Sequence, residues 1–369
     1  MTSRLFSPFK MRDLTLANRI VVSPMGQYSA RQGRASDWHL MHLRNLAVSG
    51  AALVITEASV VHADGLLSPC DLGIWSDEHA SALEPAIEFC RKHGNARLGM
   101  QLWHAGRKGS VTVAWENQRV IPKDQGGWTP RAASPVPYPG RNVPKALDEA
   151  EIPAYVSAFA AAAKRADRLG LDLIEIHAAH GYLIHNFLSP LTNQRGDAYG
   201  GSLEGRMRFA LEIFRAVREV WPERKPIGVR ISSTDWAEGG WTIEDSIVFA
   251  RALRALGCDY ITASSGGAVA EQKLNVYPGY QVPFAERIRR EANIATMAVG
   301  LITQPLQAEE IIAGERADLV ALGRGMLYNP RWAWHAAVEL GAEFSYPPQY
   351  ERSHPSMRGG DFLKPARKS

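Results

Sequence analysis

The feature that most constrains this chain is a recurrence. Short apolar runs rich in β-branched residues alternate with helix-like stretches eight times between residues 20 and 340. The strand-like runs fall at 20–25, 52–60, 97–104, 171–179, 226–233, 259–265, 294–300 and 317–323. The helical stretches fall at 37–49, 77–93, 151–169, 203–220, 243–256, 283–292, 305–314 and 330–340. Continuous apolar strands are buried on both faces, which marks a parallel sheet covered by helices. Strand then helix, eight times over, predicts an α/β chain folded as a (β/α)8 TIM barrel, with a doubly wound open sheet as the alternative. Asp77 and Ser157 read as polar helix starts, Gly94 and Gly170 as stops, and Pro305 as a first-turn proline.

The 369 residues fit one such barrel with insertions. Residues 1–345 are expected to form it, with an N-terminal hairpin as cover, and 346–369 a C-terminal tail that is basic from Lys364 to Lys368. Three long loops follow strand ends. The excursion 105–150 is rich in Pro, Gly and Trp and suits a lid; 180–202 and 266–282 would overhang the same mouth.

Composition removes several classes of function. A net charge of +4 without a long Lys/Arg block makes no case for nucleic acid. Cys70, Cys90 and Cys258 lie far apart, which argues against a disulfide framework, a zinc ribbon or an iron–sulfur cluster and suits a reducing cytoplasm. No apolar run reaches the ~18 residues that would span a membrane, and the N-terminus lacks a signal-peptide core.

Alternation along the strands sorts side chains between the barrel interior and the helices. In 171–179, Ile174 and Ile176 point one way and Leu173, Glu175 and His177 the other. The same rule sends Leu98, Met100 and Leu102 outward and Gly99, Gln101 and Trp103 inward. It also sends Ile227, Val229 and Ile231 outward and Gly228, Arg230 and Ser232 inward. Gln101, His177 and Arg230 should therefore form a polar tier at the carboxyl ends of the strands, where barrels bind ligands. An interior Arg needs an anion or several acceptors; a buried pair with Glu175 or Glu57 is the plain structural reading.

His180, Gly181 and Tyr182 follow His177 within one turn, offering two imidazoles and a phenol at one strand end. Hydrogen-bonded rim histidines are the ordinary reading, and a zinc site with His185 is a competitor that lacks a nearby Cys; no metal is expected. Gly300, Gly323 and Arg324 end the seventh and eighth strands, where barrels commonly hold phosphate, and Ser264 to Gly267 could add to that site. Phosphate on one side, an inward Arg and Gln, and two His with a Tyr opposite suit a flavin mononucleotide across the mouth. An aldolase or isomerase would favour an inward Lys, and no predicted strand places one.

Ser23-Pro-Met-Gly-Gln-Tyr28, Gln101-Leu-Trp-His-Ala-Gly-Arg-Lys108, His177-Ala-Ala-His-Gly-Tyr182, Asn193-x-Arg195-x-Asp-x-Tyr-Gly-Gly-Ser202 and Gly323-Arg324 resemble the Old Yellow Enzyme family of FMN-dependent ene-reductases. The resemblance runs from about residue 4 to 352 and is nearest to the thermophilic-like group that includes xenobiotic reductases. It implies noncovalent FMN, with Ser23, Pro24, Met25 and Gly26 along the ring, Ala58 and Gln101 at the pyrimidine side and Arg230 near N1 and O2. Gly300, Gly323 and Arg324 would take the phosphate. It implies NADPH or NADH as reductant and an alkene conjugated to a carbonyl or nitro group as substrate. His177 and His180 would hold the substrate oxygen, Tyr182 would donate the proton, and Tyr28 and Trp103 would wall the pocket.

Two positions depart from that group: Gly26 stands where its members carry Cys, and Trp103 where Ala is common. The segment Gln349-Tyr-Glu-Arg352 resembles one that inserts Arg352 into a neighbouring subunit's site, implying a homodimer or homotetramer. Dihydroorotate and dihydrouridine reductases are not expected to carry the His177, His180, Tyr182 set, and a noncatalytic flavin-binding protein is the remaining option.

Overall fold

The computed structural model describes residues 3–357, so the basic end from Lys364 to Lys368 lies outside the described residues. The strands in chain order are β1 (Phe9–Met11), β2 (Leu14–Leu16), β3 (Ile20–Val22), β4 (Leu53–Val60), β5 (Arg97–Trp103) and β6 (Arg131–Ala132). They continue as β7 (Lys145–Ala146), β8 (Leu173–Ala178), β9 (Ile227–Ser232), β10 (Tyr260–Ser264), β11 (Ala295–Val299) and β12 (Leu319–Leu322). The helices are α1 (Asp37–Ala47), α2 (Asp77–His93), α3 (Ile152–Arg168), α4 (Leu183–Leu188), α5 (Leu203–Val220) and α6 (Ile243–Ala255). After them come α7 (Val282–Ala292), α8 (Pro305–Ala313), α9 (Arg324–Tyr328) and α10 (Trp332–Glu339).

β3, β4, β5, β8, β9, β10, β11 and β12 close into a barrel in that order, each paired in parallel with its neighbours. This is the predicted (β/α)8 TIM barrel, and each predicted strand overlaps an observed one. β1 and β2 form the expected antiparallel hairpin. Leu14 and Leu16 from it join Val21, Leu53, Ile55, Leu173, Tyr260, Met297 and Leu319 in the apolar filling of the barrel. Gly228 is what admits the Tyr260 ring, since an added Cβ would lie 2.1 Å from it. Outward, Leu98, Met100, Leu102, Ile174, Ile176, Ile227, Val229 and Ile231 pack in one cluster with the helices, as alternation required. Burying each such Leu or Ile contributes ~1.5–3 kcal/mol, which sets strand register firmly.

Several boundaries differ from expectation. The first barrel strand stops at Val22: Ser23 N still donates to Leu322 O at 3.0 Å, but Pro24 has no N–H to continue the ladder. Ser157 lies inside α3, which begins beyond Glu151 with a proline in its first turn, and α2 is preceded by Ser76 rather than starting from a cap at Asp77. The loop 180–202 contains α4, a buried six-residue helix.

The excursion 105–150 carries the small parallel pair β6–β7 and several 3-10 turns. Arg107 fastens it: the buried guanidinium donates to Val136 O at 3.1 Å, Pro137 O at 3.2 Å and Ala268 O. Arg195 does the same from the other side, donating to Ala133 O at 2.9 Å and Leu147 O at 2.6 Å.

Candidate active site

Two adjoining cavities open at the carboxyl ends of the strands. One, about 450 Å³, is lined by Ser23, Met25, Ser264, Tyr280, Gln281, Gly300, Gly323 and Arg324 among others. The second, about 180 Å³, is lined by Gly26, Tyr28, Glu57, Ala58, Asp71, Gln101, Trp103, His177 and Tyr182. Pro24, His180 and Arg230 border both, so the two form one cleft. Every site residue expected from the sequence faces this cleft except Arg352, which is exposed in a 3-10 turn, Pro348–Ser353, away from it.

The predicted polar tier sits over the apolar filling. Gln101 Nε2 donates to Glu175 Oε1 at 2.7 Å, and Thr262 donates to the other carboxylate oxygen. Burial pushes the Glu175 carboxyl up, while Arg230, Thr262 and Gln101 pull it back. Among the described residues Arg230 makes one hydrogen bond, from Nη1 to Ser23 Oγ at 3.3 Å, and its buried Nε has no partner. The plain expectation of a direct ion pair with Glu175 or Glu57 is not met among the described residues; Glu57 instead faces His39 at 3.1 Å and accepts from Gln27 N at 2.9 Å. Glu57 also occupies the register shift between Thr56 and Ala58, and that irregularity brings Ala58 opposite Gln101.

β8 ends in the His/Tyr turn. Ala179 N donates to His177 Nδ1 at 3.2 Å, so the His177 proton is on Nε2. That Nε2 lies 3.3 Å from His180 Nδ1, and His180 Nε2 lies 2.6 Å from Ser264 Oγ. Burial, then Arg230, lowers both imidazoles well below their ordinary value and keeps them neutral at pH 7. The Tyr182 phenol is pushed up, first by burial and then by Tyr28 and Asp71, so it keeps its proton. His180 holds a left-handed φ of 58°, a strain of ~1–3 kcal/mol for a non-glycine residue.

Sequence reasoning missed several contributors. Lys108 Nζ donates to His180 O at 2.8 Å and lies 4.4 Å over the Tyr138 ring and 5.4 Å over Tyr182. Burial, with Arg107 and Arg141 adding, pushes its ammonium down to about 7. From the excursion, Arg141 donates to Gln118 Oε1 at 2.9 Å, and Gln118 reaches Tyr28 Oη at 3.5 Å. The Asn193-to-Ser202 motif proves to be framework: Asn193 Nδ2 ties Phe187 O to Tyr199 O, both at 2.7 Å.

The proposed zinc competitor is not assembled, because His185 turns away to Gly181 N and Asp235. Elsewhere His62, Asp64 and His104 bring ligand-type atoms within 4.8 Å of one another. There Gly106 N donates to His104 Nδ1 at 3.0 Å, so Nε2 carries the proton and points it at Asp64, and Arg131 stands 3.6 Å from the same carboxylate. The set is a hydrogen-bond network with its own cation, not a metal cradle.

The cleft suits a long ligand with an anion at one end. Gly300 has φ +114°, and a Cβ there would meet Gln281 Nε2 at 2.6 Å, so only glycine leaves that approach open. Arg324 stands beside it, and Arg230 borders both halves of the cleft at its middle. Those groups match the phosphate and the pyrimidine edge of FMN. The fold and site together define a flavin-dependent (β/α)8 oxidoreductase.

Comparison with known proteins gives the same class. The sequence profile of the NADH:flavin oxidoreductase / NADH oxidase family matches residues 4–343. The NADPH dehydrogenase of Geobacillus sp. (strain WCH70) is 48% identical over 355 residues, spanning 95% of this chain and 99% of the relative. That of Halalkalibacterium halodurans is 46% identical over 355 residues, spanning 96% and 99%. Among solved structures, morphinone reductase in complex with tetrahydroNAD superposes with a TM-score of 0.76 at 27% identity, covering 97% of this chain and 95% of that one. The Old Yellow Enzyme homologue of Zymomonas mobilis superposes with a TM-score of 0.76 at 25% identity, covering 93% and 94%. The chain belongs to this NADH:flavin oxidoreductase family, the Old Yellow Enzyme family. It is an NAD(P)H-driven flavin oxidoreductase with FMN as cofactor. No helix among the described residues is long and apolar enough to cross a membrane.

Proposed function

We propose that this enzyme reduces alkenes conjugated to a carbonyl or nitro group. The observation that carries this reading is the convergence of two neutral imidazoles, His177 and His180, and a protonated phenol, Tyr182, on one cavity beside Arg230 and Gln101. When bound, FMN would supply the redox chemistry, hydride transfer from NADPH or NADH to the β carbon of the alkene.

The protein's part is to bind, polarise and protonate. His177 and His180 hydrogen-bond the substrate oxygen, which gains charge as the alkene is reduced, with the Nε2–H of His177 as donor. His180 Nε2 faces Ser264 Oγ at 2.6 Å, and that hydroxyl in turn donates to Gln281 Oε1 at 3.4 Å, which anchors the ring beside the substrate. Tyr182 delivers its proton to the α carbon, completing addition of two hydrogens across the double bond. Tyr28 and Trp103 wall the substrate. Ser23, Pro24, Met25, Gly26, Ala58, Gln101 and Arg230 would hold the FMN ring, and Gly300, Gly323 and Arg324 its phosphate.

The deciding experiment is an anaerobic visible spectrum of the FMN-loaded protein, read after NADPH and again after 2-cyclohexenone. Flavin bands that bleach and then return support the reading. Bands that stay bleached after the enone contradict it.

Exposure of Arg352 suits a further part of the proposal, that two or more copies assemble with this guanidinium entering the partner's cleft. Arg352→Ala should raise the KM for an enone about tenfold while leaving FMN content unchanged, as removal of a charged contact at a ligand does. An unaltered KM would remove Arg352 from the site.

A further inference from the structure

The turn that carries His180 and Tyr182 is held by side chains rather than by the sheet. His180 N donates to Ser232 Oγ at 2.9 Å and His180 O accepts from Lys108 Nζ at 2.8 Å. Gly181 N donates to His185 Nδ1 at 2.8 Å and Gly181 O accepts from Asn186 Nδ2 at 2.9 Å. All four backbone groups of two consecutive residues are thus gripped by four side chains from β9, α4 and the start of the excursion. Both residues are left-handed, with φ of 58° and 70°. The turn is also pressed against the loop after β10, since a Cβ on Gly181 would lie 2.2 Å from Gly267 O.

One of the four grips has its own backing. His185 Nε2 lies 3.0 Å from Asp235 Oδ1, and neither side chain has any exposure. Asp235 Oδ2 accepts from Ser189 Oγ at 2.6 Å and from Trp241 N at 2.8 Å. Neither His185 nor Asp235 lines the cleft. We infer that Asp235 and His185 are positioning residues for the reaction: Asp235 keeps the His185 proton on Nε2, which leaves Nδ1 free to accept the Gly181 amide and aim Tyr182. The inference rests on the proposed role of Tyr182 as proton donor.

The tautomer is the working part. An imidazole with its proton on Nδ1 would set N–H against the Gly181 N–H, and the grip would become a repulsion. Burial would raise the Asp235 carboxyl, but the His185 ring against it and the hydrogen bonds from Ser189 and Trp241 hold it below its ordinary value, so the group is anionic and acts only as an acceptor. In Asp235→Asn the amide oxygen must stay where Trp241 N and Ser189 Oγ donate, so the NH2 faces His185 Nε2 and drives the imidazole to the wrong tautomer. The shape is unchanged. His185→Gln keeps both functions, with its carbonyl toward Gly181 N and its NH2 toward Asp235.

The test compares Asp235→Asn, His185→Gln and Tyr182→Phe as FMN-loaded enzymes, each checked for FMN content and thermal unfolding. Displacement of a reacting group by an ångström costs up to ~100-fold, so Asp235→Asn should lower kcat with 2-cyclohexenone roughly 10- to 100-fold. Its KM should change little, and its solvent kinetic isotope effect should increase because proton delivery becomes limiting. His185→Gln should retain most of kcat. Hydrogen exchange by mass spectrometry gives a readout independent of turnover: peptides covering 178–186 should exchange faster in Asp235→Asn and like the parent in His185→Gln. An Asp235→Asn enzyme with parental kcat and exchange, beside a slow Tyr182→Phe, overturns this inference and leaves the role of Tyr182 standing. A Gln variant as slow as the Asn variant also overturns it. A Tyr182→Phe enzyme of parental rate overturns the assigned donor, and with it the route by which Asp235 and His185 act.

Discussion

Trp103 and Tyr182 stack with ring centroids 4.8 Å apart and planes 30° from parallel. The indole is buried, and its Nε1 has no hydrogen-bond partner among the described residues. Tyr182 is thereby braced from one side by an aromatic face and crossed edge-on by His177 at 5.1 Å. Such a pair contributes ~0.5–1.5 kcal/mol beyond its buried area. Trp103→Ala should therefore loosen the phenol and open the wall together. The expected result is a lower kcat for 2-cyclohexenone with a lower KM for bulkier enones, measured as steady-state constants over a series of ring-substituted substrates. A uniform fall in kcat across the series, with no change in KM ranking, would mean that Trp103 does not shape the pocket.

Lys108 predicts a pH dependence. Its ammonium is pushed down to about 7 by burial, then by Arg107 and Arg141, so it is charged below that pH and neutral above it. A positive charge 5.4 Å from the Tyr182 ring stabilises the phenolate that proton donation leaves behind. Turnover should accordingly fall as pH rises through about 7. Lys108→Arg, which stays charged, should flatten that inflection; Lys108→Met should be slow on both sides of it. A wild-type profile level from pH 6 to 8 would detach Lys108 from the chemistry.

Gly26 can take a side chain. Its φ is outside the left-handed region, and an added Cβ meets only the Tyr28 ring, at 3.6 Å, which is ordinary contact. Gly26→Cys should fold with an unchanged melting temperature and place a thiol in the cleft, shifting the flavin potential. Spectroelectrochemistry reads this directly. An unchanged potential together with unchanged half-reaction rates would show that position 26 does not tune the flavin here.

Arg230 should act on cofactor affinity first. A charge-assisted hydrogen bond contributes ~1.5–3 kcal/mol, so Arg230→Met should weaken FMN binding roughly 10- to 100-fold. Titrating the apoprotein with FMN and following flavin fluorescence measures this without turnover. An affinity within twofold of the parent would return Arg230 to a purely structural role over Glu175.

The barrel was legible in the chain because its two governing signals are local. Runs of buried β-branched residues mark strands, and the two-residue period separates faces, so Ile174 and Ile176 could be assigned to the helices and Glu175 and His177 to the interior. The tier of Gln101, His177 and Arg230 follows from the same rule. α4 was not legible, because six residues inside a polar loop carry too short a pattern to separate a helix from a buried turn. The clamp formed by Asn193 and Arg195 was visible as a motif, but its task of fastening the excursion was not, since the carbonyls it binds belong to residues up to 62 positions away.

By itself the sequence determined which strands exist, which side chains point inward and which residue types meet at the mouth, because these depend on spacing along a few residues. Only the tertiary structure decided how those groups are held. His185 and Asp235 are 50 positions apart and meet at 3.0 Å, and Lys108 reaches His180 O across 72 positions. Partners at such separations are chosen by how loops pack over a closed barrel. That packing also sets burial, which keeps His177 and His180 neutral and Tyr182 protonated.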